Sequence, residues 1–460
     1  MARPEQSLFN QRFSRRALGR SPIARLFQTK PGTQTTRPVK KSADPIFTVC
    51  IYRFAAMKNR SQRINEGRSG IKKFRTLAVQ LARRIARPLA FVRWVVWPPK
   101  ASLGKMEGVG KDGQSSFTIL CGLNKQIKSF FLGLAFADSV RAGEPQRVTL
   151  RDLFSTDHEL KKDCSLIVVE LKQTHYARLN PGNWFFIPLW VRGEITLPIA
   201  DKFLKHESVK SDLRRIRNHA FEYEVTRDGR LFDDFFDNMH VPYINKVHGE
   251  AAKFASPAET RKVRGNSDLL LVKKRGQPDR HIAGILIVYE PAGPRLWSLG
   301  IRDGNLDYVR EGVVAALYHF SIHYLMAKGF FRINIGGSRP FLQNGVLQFK
   351  RKMSQTIIGS SWEGFALKIL SYTPATKAFL QNNPFIFVSD EVLCGAIFTD
   401  SDRPLSQEKI QQLDKDYFHP GLAKLFIYCF NEGEATKPDS IPPALAERIV
   451  IRSANDLTGL

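Results

Sequence analysis

The sequence FFRINIGGSRPFLQNGVLQFK, residues 330–350, decides the fold. Its apolar start predicts a strand over Phe330–Ile335, which Gly336 and Gly337 bring to an end. Upstream, apolar residues recur at helical spacing through residues 309–324, and a third apolar run predicts a strand over Arg295–Ile301. This strand, helix, strand order predicts two parallel neighbouring strands joined by a helical crossover.

The elements further upstream are separated by clear turn sequences. The turns Gly276–Asp279 and Pro291–Pro294 divide three antiparallel strands. These strands and the preceding elements are predicted at these positions: a basic helix Ser208–His219, a strand Phe221–Thr226, a helix through Phe232 and Met239 ending near Pro242, and strands Asp268–Lys274, Ile282–Glu290 and Arg295–Ile301. The predicted order is therefore β, α, three antiparallel strands, α, β.

This order, together with Gly336-Gly337-Ser338 and the later Gly345-x-x-x-Phe349-Lys350, resembles the GNAT superfamily of acyltransferases, most closely its bacterial Fem-type and BioF2-like branch. The resemblance implies an α/β fold with a GNAT-like mixed central sheet flanked by helices. It also implies an enzyme, an N-acyltransferase that needs no metal. Such an enzyme moves an acyl or aminoacyl group from acyl-CoA (acetyl-CoA) or aminoacyl-tRNA to a small-molecule or cell-envelope amine.

The resemblance places the donor's pyrophosphate at the N-terminus of a helix, where backbone N–H groups and the helix dipole attract anions. Arg302 and Gly304 occupy the corresponding loop. The loop departs from the usual glycine-rich signature because it has one glycine, and Asp303 and Asp307 would repel phosphate. The donor therefore stays open between acyl-CoA and aminoacyl-tRNA.

The residues after the predicted strand 330–335 are candidates for donor binding. Gly336, Gly337, Ser338 and Arg339 offer backbone N–H groups, a hydroxyl and a guanidinium, which suit a phosphate or a carbonyl oxygen that gains charge. A tight turn with positive φ would explain the glycines as well. Lys350 is a further donor-binding candidate, although a basic run such as 350–352 is commonly a solvated surface.

Acyl transfer to an amine needs a base. The carboxylates and histidines of the domain offer Glu222, Glu224, Asp237, His240, His248 and Glu290. Glu222, His240 and Ser338 are our catalytic candidates, although a lone histidine is more often structural. His319 and His323, four residues apart on one helix, lack the acidic partner that a zinc site would require.

The charge of the chain is concentrated at its N-terminus. The protein has 460 residues and a formal charge of +27, of which residues 1–100 carry +20, from 23 Lys and Arg against 3 Asp and Glu. Residues 1–60 are predicted to be a disordered basic tail. Residues 61–115 are predicted to form a basic amphipathic helix and a glycine-rich linker. Residues 72–97, with Trp94 and Trp97, suit an anionic membrane surface, docking on the protein itself, or binding to RNA or another protein.

The remaining chain is predicted to fold around this domain. Residues 116–200 are the N-terminal part of the body, either plain support or a degenerate GNAT copy, since Fem-type proteins carry two such domains. Residues 201–360 are the GNAT-like domain, and residues 361–460 add strands and a helix that complete the body. The alternative function is a non-catalytic GNAT-like protein, tethered to anionic membrane or nucleic acid by its basic arm.

Several classes of protein are disfavoured by the absence of their motifs. The sequence has no Gly-x-Ser-x-Gly elbow, no Gly-x-x-x-x-Gly-Lys-Ser/Thr phosphate loop and no Gly-x-Gly-x-x-Gly after a predicted strand. Its five cysteines are far apart, so neither disulfides nor zinc are indicated. No signal peptide and no run of 18 apolar residues is visible. We therefore expect a cytoplasmic protein, either free or peripheral at the inner face of the membrane.

Overall fold

A computed structural model describes residues 99–154, 159–179, 182–200, 203, 205–248, 257–277, 280–400, 405–430 and 441–458. The predicted disordered tail, residues 1–60, lies outside these residues. So does the predicted amphipathic helix, with its segment 72–97 proposed for membrane contact. The described residues form two mixed sheets and the helices that connect their strands.

The first elements, in chain order, are β1 (Lys100–Val109), β2 (Ser116–Gly122), α1 (Lys125–Ala135), β3 (Arg141–Ala142), β4 (Gln146–Thr149), α2 (Leu150–Phe154), β5 (Leu166–Lys172), α3 (Gln173–Leu179) and β6 (Trp184–Pro188). The next are β7 (Val191–Thr196), α4 (Glu207–Asn218), β8 (Phe221–Thr226), α5 (Gly229–Phe235), a π-helical turn (Phe236–His240), α6 (Val241–His248), α7 (Pro257–Arg264), β9 (Ser267–Lys274), β10 (His281–Glu290), β11 (Gly293–Ile301), α8 (Leu306–Arg310), α9 (Val313–Ala327), β12 (Arg332–Ser338), α10 (Gly345–Lys352) and β13 (Gln355–Ser360). The last are β14 (Glu363–Ile369), α11 (Pro374–Asn382), β15 (Phe385–Ser389), β16 (Val392–Thr399), α12 (Gln407–Tyr417), β17 (Lys424–Cys429) and β18 (Ile449–Ser453).

One mixed sheet has the order of elements predicted from the sequence. Its seven strands lie in the order β13-β7-β12-β11-β10-β9-β8. Strands β8 to β11 are antiparallel neighbours, and β11 and β12 are parallel. Both faces of this sheet are buried, because Leu270 and Val272 of β9 pack toward α9 while Leu269 and Leu271 pack toward α5. The predicted α/β class and strand order are confirmed.

A second, larger mixed sheet contains the strands before and after the first one in the chain. Its order is β18-β17-β16-β15-β6-β14-β5-β2-β1-β3, with β4 also paired to β1. Here too there is a parallel pair, β2 and β5, whose connection contains α1, β3, β4 and α2, and β5 has an antiparallel partner in β14. The strands of residues 385–453 extend the sheet beyond β6.

The two sheets exchange strands at a crossing of the chain. The apolar run Trp184–Val191, which predicts one strand, divides near Trp190: β6 pairs in the larger sheet and β7 pairs with β12 and β13 in the smaller. Conversely, β13 stays in the smaller sheet while β14 lies between β5 and β6. At the crossing the Ser361 N–H donates to the Trp190 carbonyl and the Leu189 N–H donates to the Glu363 carbonyl. Apolar periodicity does not show to which sheet a strand belongs.

Two local predictions are wrong. The glycine-rich stretch 104–113, predicted to be a linker, forms most of β1 and the turn after it. The backbone passes close to its neighbours there: a Cβ on Gly108 would lie 2.9 Å from the Phe136 ring. The helix predicted to end near Pro242 continues to His248, because the π-helical turn lies just before the proline, whose missing N–H is tolerated at the start of α6.

Candidate active site

A cavity lies where the parallel strands β11 and β12 separate. The two strands share one Cα register, Arg295 with Asn334. Beyond it a cavity of about 540 Å³ is lined by residues 296–299 of β11 and 335–337 of β12. The π-helical turn, α9 and α10 contribute His240, Tyr318, Val346 and Lys350 to its walls. Its volume is in the range of small-molecule sites.

A β-bulge at Trp297 shapes the β11 wall. In the pairing of β10 with β11, Leu286 lies opposite Ser298 and Ile287 lies opposite Leu296, so Trp297 is an extra residue. A bulge of this kind bends the strand, interrupts its ladder and re-aims side chains. Trp297 lines the cavity as a result.

The opposite wall carries a second irregularity, at Gly336. The register of β12 against β7 shifts between Asn334 and Gly337. Gly336 has φ of +73°, which favours glycine, and its N–H donates to the Asn334 Oδ1 at 2.8 Å. The turn explanation therefore holds for Gly336, and the backbone of Gly336 and Gly337 also faces the cavity.

The candidate base His240 lines the cavity and is 6% exposed. Its Nδ1 lies 2.8 Å from the Leu299 carbonyl oxygen. Because a carbonyl oxygen can only accept, Nδ1 carries the proton and Nε2 is the basic nitrogen. Burial lowers the pKa of His240 below its ordinary 6.5, against the opposing effect of the Leu299 hydrogen bond. The imidazole is therefore neutral at pH 7.

The close approach of His240 depends on a glycine in β11. A Cβ on Gly300 would lie 2.5 Å from the His240 backbone nitrogen and 2.6 Å from the Met239 carbonyl carbon. Both neighbours are backbone atoms of the π-helical turn, which cannot rotate away. Gly300 thus allows the turn to pack directly on the strand.

Lys350 carries a buried ammonium beside the cavity. It is 4% exposed, and its Nζ donates to the Gly337 carbonyl oxygen at 2.8 Å. Within the described ranges no carboxylate lies within ion-pair distance of it. Burial lowers the pKa of Lys350 to about 8. A buried cation without an anionic partner is costly, so this site favours a ligand that brings negative charge.

Arg339 stands just beyond the glycines. Its guanidinium carbon lies 4.2 Å from the ring centre of Trp190 and 4.7 Å from that of Phe130. Trp190 also contacts Gly337, where a Cβ would meet its ring at 3.4 Å. The rings orient the guanidinium by cation–π contact, and burial lowers its pKa. No carboxylate among the described residues forms an ion pair with it.

The other two catalytic candidates are placed outside the cavity wall. Ser338 is 2% exposed, and its hydroxyl has no hydrogen-bond partner in the described part of the chain. Glu222 lies on the edge strand β8, where it forms an ion pair with Arg275 at 2.6 Å. The structure therefore brings His240 together with the glycines and Lys350, but not Glu222 or Ser338.

The two remaining donor-binding candidates also lie elsewhere. Arg302 forms an ion pair with Asp234 at 2.6 Å and lines a different, charged cavity. Gly304 is buried against α6, where a Cβ would lie 2.8 Å from the Pro242 carbonyl oxygen. Neither residue contributes to the cavity between β11 and β12.

Three lining residues were not found from the sequence. Trp297 depends on a bulge, which has no local signature, and Tyr318 lies within the long apolar helix α9. Burial raises the pKa of Tyr318, so it is a neutral hydroxyl. Glu259 of α7 brings a carboxylate to the cavity. An aromatic residue in an apolar helix looks like core from the sequence alone.

Within the described ranges no three His, Cys, Asp or Glu side chains are grouped to hold a metal ion, and His319 and His323 belong to no such group. No helix there has the length and apolar character needed to span a membrane.

Comparisons with known proteins find matches among solved structures alone. No family model matches the chain, and no curated protein matches its sequence. Among solved structures, L-PGS from Bacillus licheniformis shares 9% identity over 57% of this chain and 83% of that chain, with a TM-score of 0.29. FemX shares 11% over 59% and 89%, with a TM-score of 0.30. A GCN5-related N-acetyltransferase from Sphaerobacter thermophilus shares 13% over 44% and 59%, with a TM-score of 0.25.

These structures are of the kinds that the 330–350 motif resembles. At such identities and TM-scores, however, the similarity carries no argument about what this chain binds or catalyses.

Proposed function

We propose that the chain is a GNAT-like N-acyltransferase, which moves an acyl or aminoacyl group to an amine acceptor in the cavity between β11 and β12. The reaction is direct attack within a ternary complex. One observation carries the proposal: a parallel strand pair opens between a bulge at Trp297 and a kink at Gly336, and a neutral histidine and a buried ammonium both face the opening.

In the proposed step the acceptor nitrogen attacks the donor's carbonyl carbon and forms the new C–N bond. His240, through Nε2, accepts the proton that the amine loses. The carbonyl oxygen gains charge as the tetrahedral intermediate forms, and the ammonium of Lys350 stabilises it. Collapse breaks the C–S bond of a thioester or the C–O bond of an ester, and the leaving group takes up a proton.

The donor is acyl-CoA or aminoacyl-tRNA in this proposal, and the acceptor is a small-molecule or cell-envelope amine. Arg339, which lacks an anionic partner in the described ranges, is suited to the donor's phosphates, while the ammonium of Lys350 holds the donor's carbonyl oxygen. Arg302 is paired with Asp234, and Gly304 packs against Pro242. Neither residue is available to bind a pyrophosphate, so this loop does not favour acyl-CoA over aminoacyl-tRNA as the donor.

The direct test is transfer of a labelled acyl group to a panel of amines, with acetyl-CoA and aminoacyl-tRNA as separate donors. We expect turnover with one donor and its loss in Lys350→Met. Lys409→Met, which changes an exposed lysine of α12, is the matched control. Equal turnover in the wild type and Lys350→Met would contradict the assignment of the cavity, and so would the absence of transfer from either donor.

The proposed role of His240 is tested by the pH dependence of the transfer rate. The wild-type rate should fall as the pH decreases through the pKa of His240, which lies below 6.5. His240→Gln should lower kcat by about 10²-fold or more and should remove this acidic limb. If the variant keeps the fall in rate at low pH, the base is another group, and the cavity wall offers the carboxylate of Glu259.

A further inference from the structure

A second cavity, of about 640 Å³, lies on the α5 side of the smaller sheet. Apart from one leucine its wall consists of charged or titratable side chains, namely Glu224, Asp234, Lys273, Arg280, His281 and Arg302. It shares no lining residue with the cavity between β11 and β12. This composition differs sharply from the largely apolar wall of the proposed acyl-transfer site.

One carboxylate of this charged cavity is held by two donors. Glu224 lies 2.6 Å from the Lys273 Nζ and 2.8 Å from the His281 Nε2. The Lys273 hydrogen bond is the largest cause that lowers the pKa of Glu224, which is therefore ionised at neutral pH. The lysine, the histidine and the carboxylate form a fixed part of the wall.

The other carboxylate is bound by a fork of the Arg302 guanidinium. Asp234 accepts from both terminal nitrogens of Arg302, at 3.1 and 2.6 Å, and from the Asn238 amide at 2.8 Å. The Arg302 Nε donates to the His281 carbonyl oxygen at 2.5 Å, so the arginine also joins β11 to β10. These bonds set the wall in place before any ligand arrives.

Arg280 is the third cation of the wall. It is exposed, and no carboxylate in the described ranges lies within ion-pair distance of it. Among the described residues of the wall, three cations (Lys273, Arg280 and Arg302) face two carboxylates, which is an excess of one positive charge. None of these residues is Phe, Tyr or Trp.

We propose that this charged cavity is a second ligand site, which binds a small molecule through a carboxylate or phosphate group held by Arg280. A guanidinium suits either anion because its N–H groups match two oxygens at once. The site is separate from acyl transfer and does not rest on the proposed function.

The test is calorimetric titration of the full chain at low salt with inorganic phosphate and with succinate. We expect saturable binding of one probe, which tells a phosphorylated from a carboxylated ligand, and an affinity at least about tenfold lower in Arg280→Gln, since a charge-assisted hydrogen bond is lost. Arg452→Gln, which removes another exposed arginine, should bind as the wild type does.

Two results would overturn the proposal. One is no saturable binding of either probe, or equal binding in Arg280→Gln. The other is binding that Lys350→Met abolishes while Arg280→Gln retains it, because the anion would then occupy the cavity between β11 and β12. Acyl transfer by Arg280→Gln, measured in parallel, keeps this outcome distinct from a failure of the proposed function.

Discussion

Each sheet contains a unit made of two parallel strands whose connection includes helices, but the two units differ. In the larger sheet β2 and β5 pair at four consecutive positions, from Ile119 with Leu166 to Gly122 with Val169. In the smaller sheet β11 and β12 share one register pair, and a cavity fills the space beyond it. The first unit is closed and serves as core, and the second opens into the cavity in which we propose acyl transfer. Two backbone irregularities lie at this opening, the bulge at Trp297 and the kink at Gly336.

The units are tied together by their exchanged strands. Strand β7 continues from β6 yet pairs with β12, and β14 continues from β13 yet pairs with β5. The closed unit therefore supports the open one through shared strands. We propose that residues 116–200, apart from β7, are a degenerate GNAT copy.

Lys350→Met should have the largest effect, because it removes the cation of the open unit. We expect kcat/KM to fall by about 10²-fold or more, as when a group that stabilises an oxyanion is lost. The thermal midpoint should stay level or rise, since burying an unpaired ammonium is unfavourable. Turnover and melting of this variant, measured beside Lys409→Met, check both statements. Loss of activity accompanied by a large fall in the midpoint would indicate a structural role instead.

Gly300→Ala should have the next largest effect, because its methyl group would displace the π-helical turn that carries His240. The added Cβ has no room beside two backbone atoms, so we expect a loss of about 1–3 kcal/mol in the free energy of unfolding. The rate should fall together with it, since His240 is displaced. Denaturant unfolding and turnover measure the two effects, and an unchanged rate would separate the turn from catalysis.

Acid should lower the free energy of unfolding, because a buried histidine lies beside each of the two sheets. Burial lowers the pKa of His319 on α9 to about 4 and that of His419 before β17 to about 3. Unfolding lets each bind a proton below its ordinary 6.5, so the free energy of unfolding falls as the pH drops from 6.5 toward 4. The fall is about 1.4 kcal/mol per pH unit for each histidine. Denaturant unfolding of His319→Gln and His419→Gln should show a smaller slope for each, and unchanged slopes would contradict this account.

Gly133→Ala should give the smallest effect and the opposite sign. Gly133 lies within α1, the helix of the closed unit, and a Cβ there meets no atom within 4 Å. Alanine is the better helix former, so we expect a gain of about 0.5–1 kcal/mol in the free energy of unfolding and unaltered turnover. A loss of activity would show that the closed unit takes part in the chemistry.

The order of strands could be predicted from the sequence because turns such as Pro291–Pro294 separate runs of clear character. The exchange of strands could not, since residues 184–191 form one apolar run whose partners lie far away in the chain. The bulge at Trp297 is equally invisible, because only the pairing with β10 creates it.

The residues that line the candidate site could be predicted only in part, because some depend on local sequence and others on distant partners. Gly336 and Lys350 lie in a motif with local character, and both face the cavity. Arg302 and Glu222 looked equally suitable, but Asp234 and Arg275, distant in sequence, pair with them. Sequence patterns show which groups are available, whereas long-range ion pairs decide which of them are free to act.

The most direct test of the account is a thermal-shift titration of the wild type and Lys350→Met with acetyl-CoA, CoA and aminoacyl-tRNA. A ligand that binds only the folded state stabilises it by about 2.7 kcal/mol at a hundredfold excess over Kd. We predict that one donor raises the midpoint of the wild type and has a much smaller effect on Lys350→Met. Equal shifts in the two proteins, or no shift with any donor, would contradict the claim that the open unit is an acyl-transfer site.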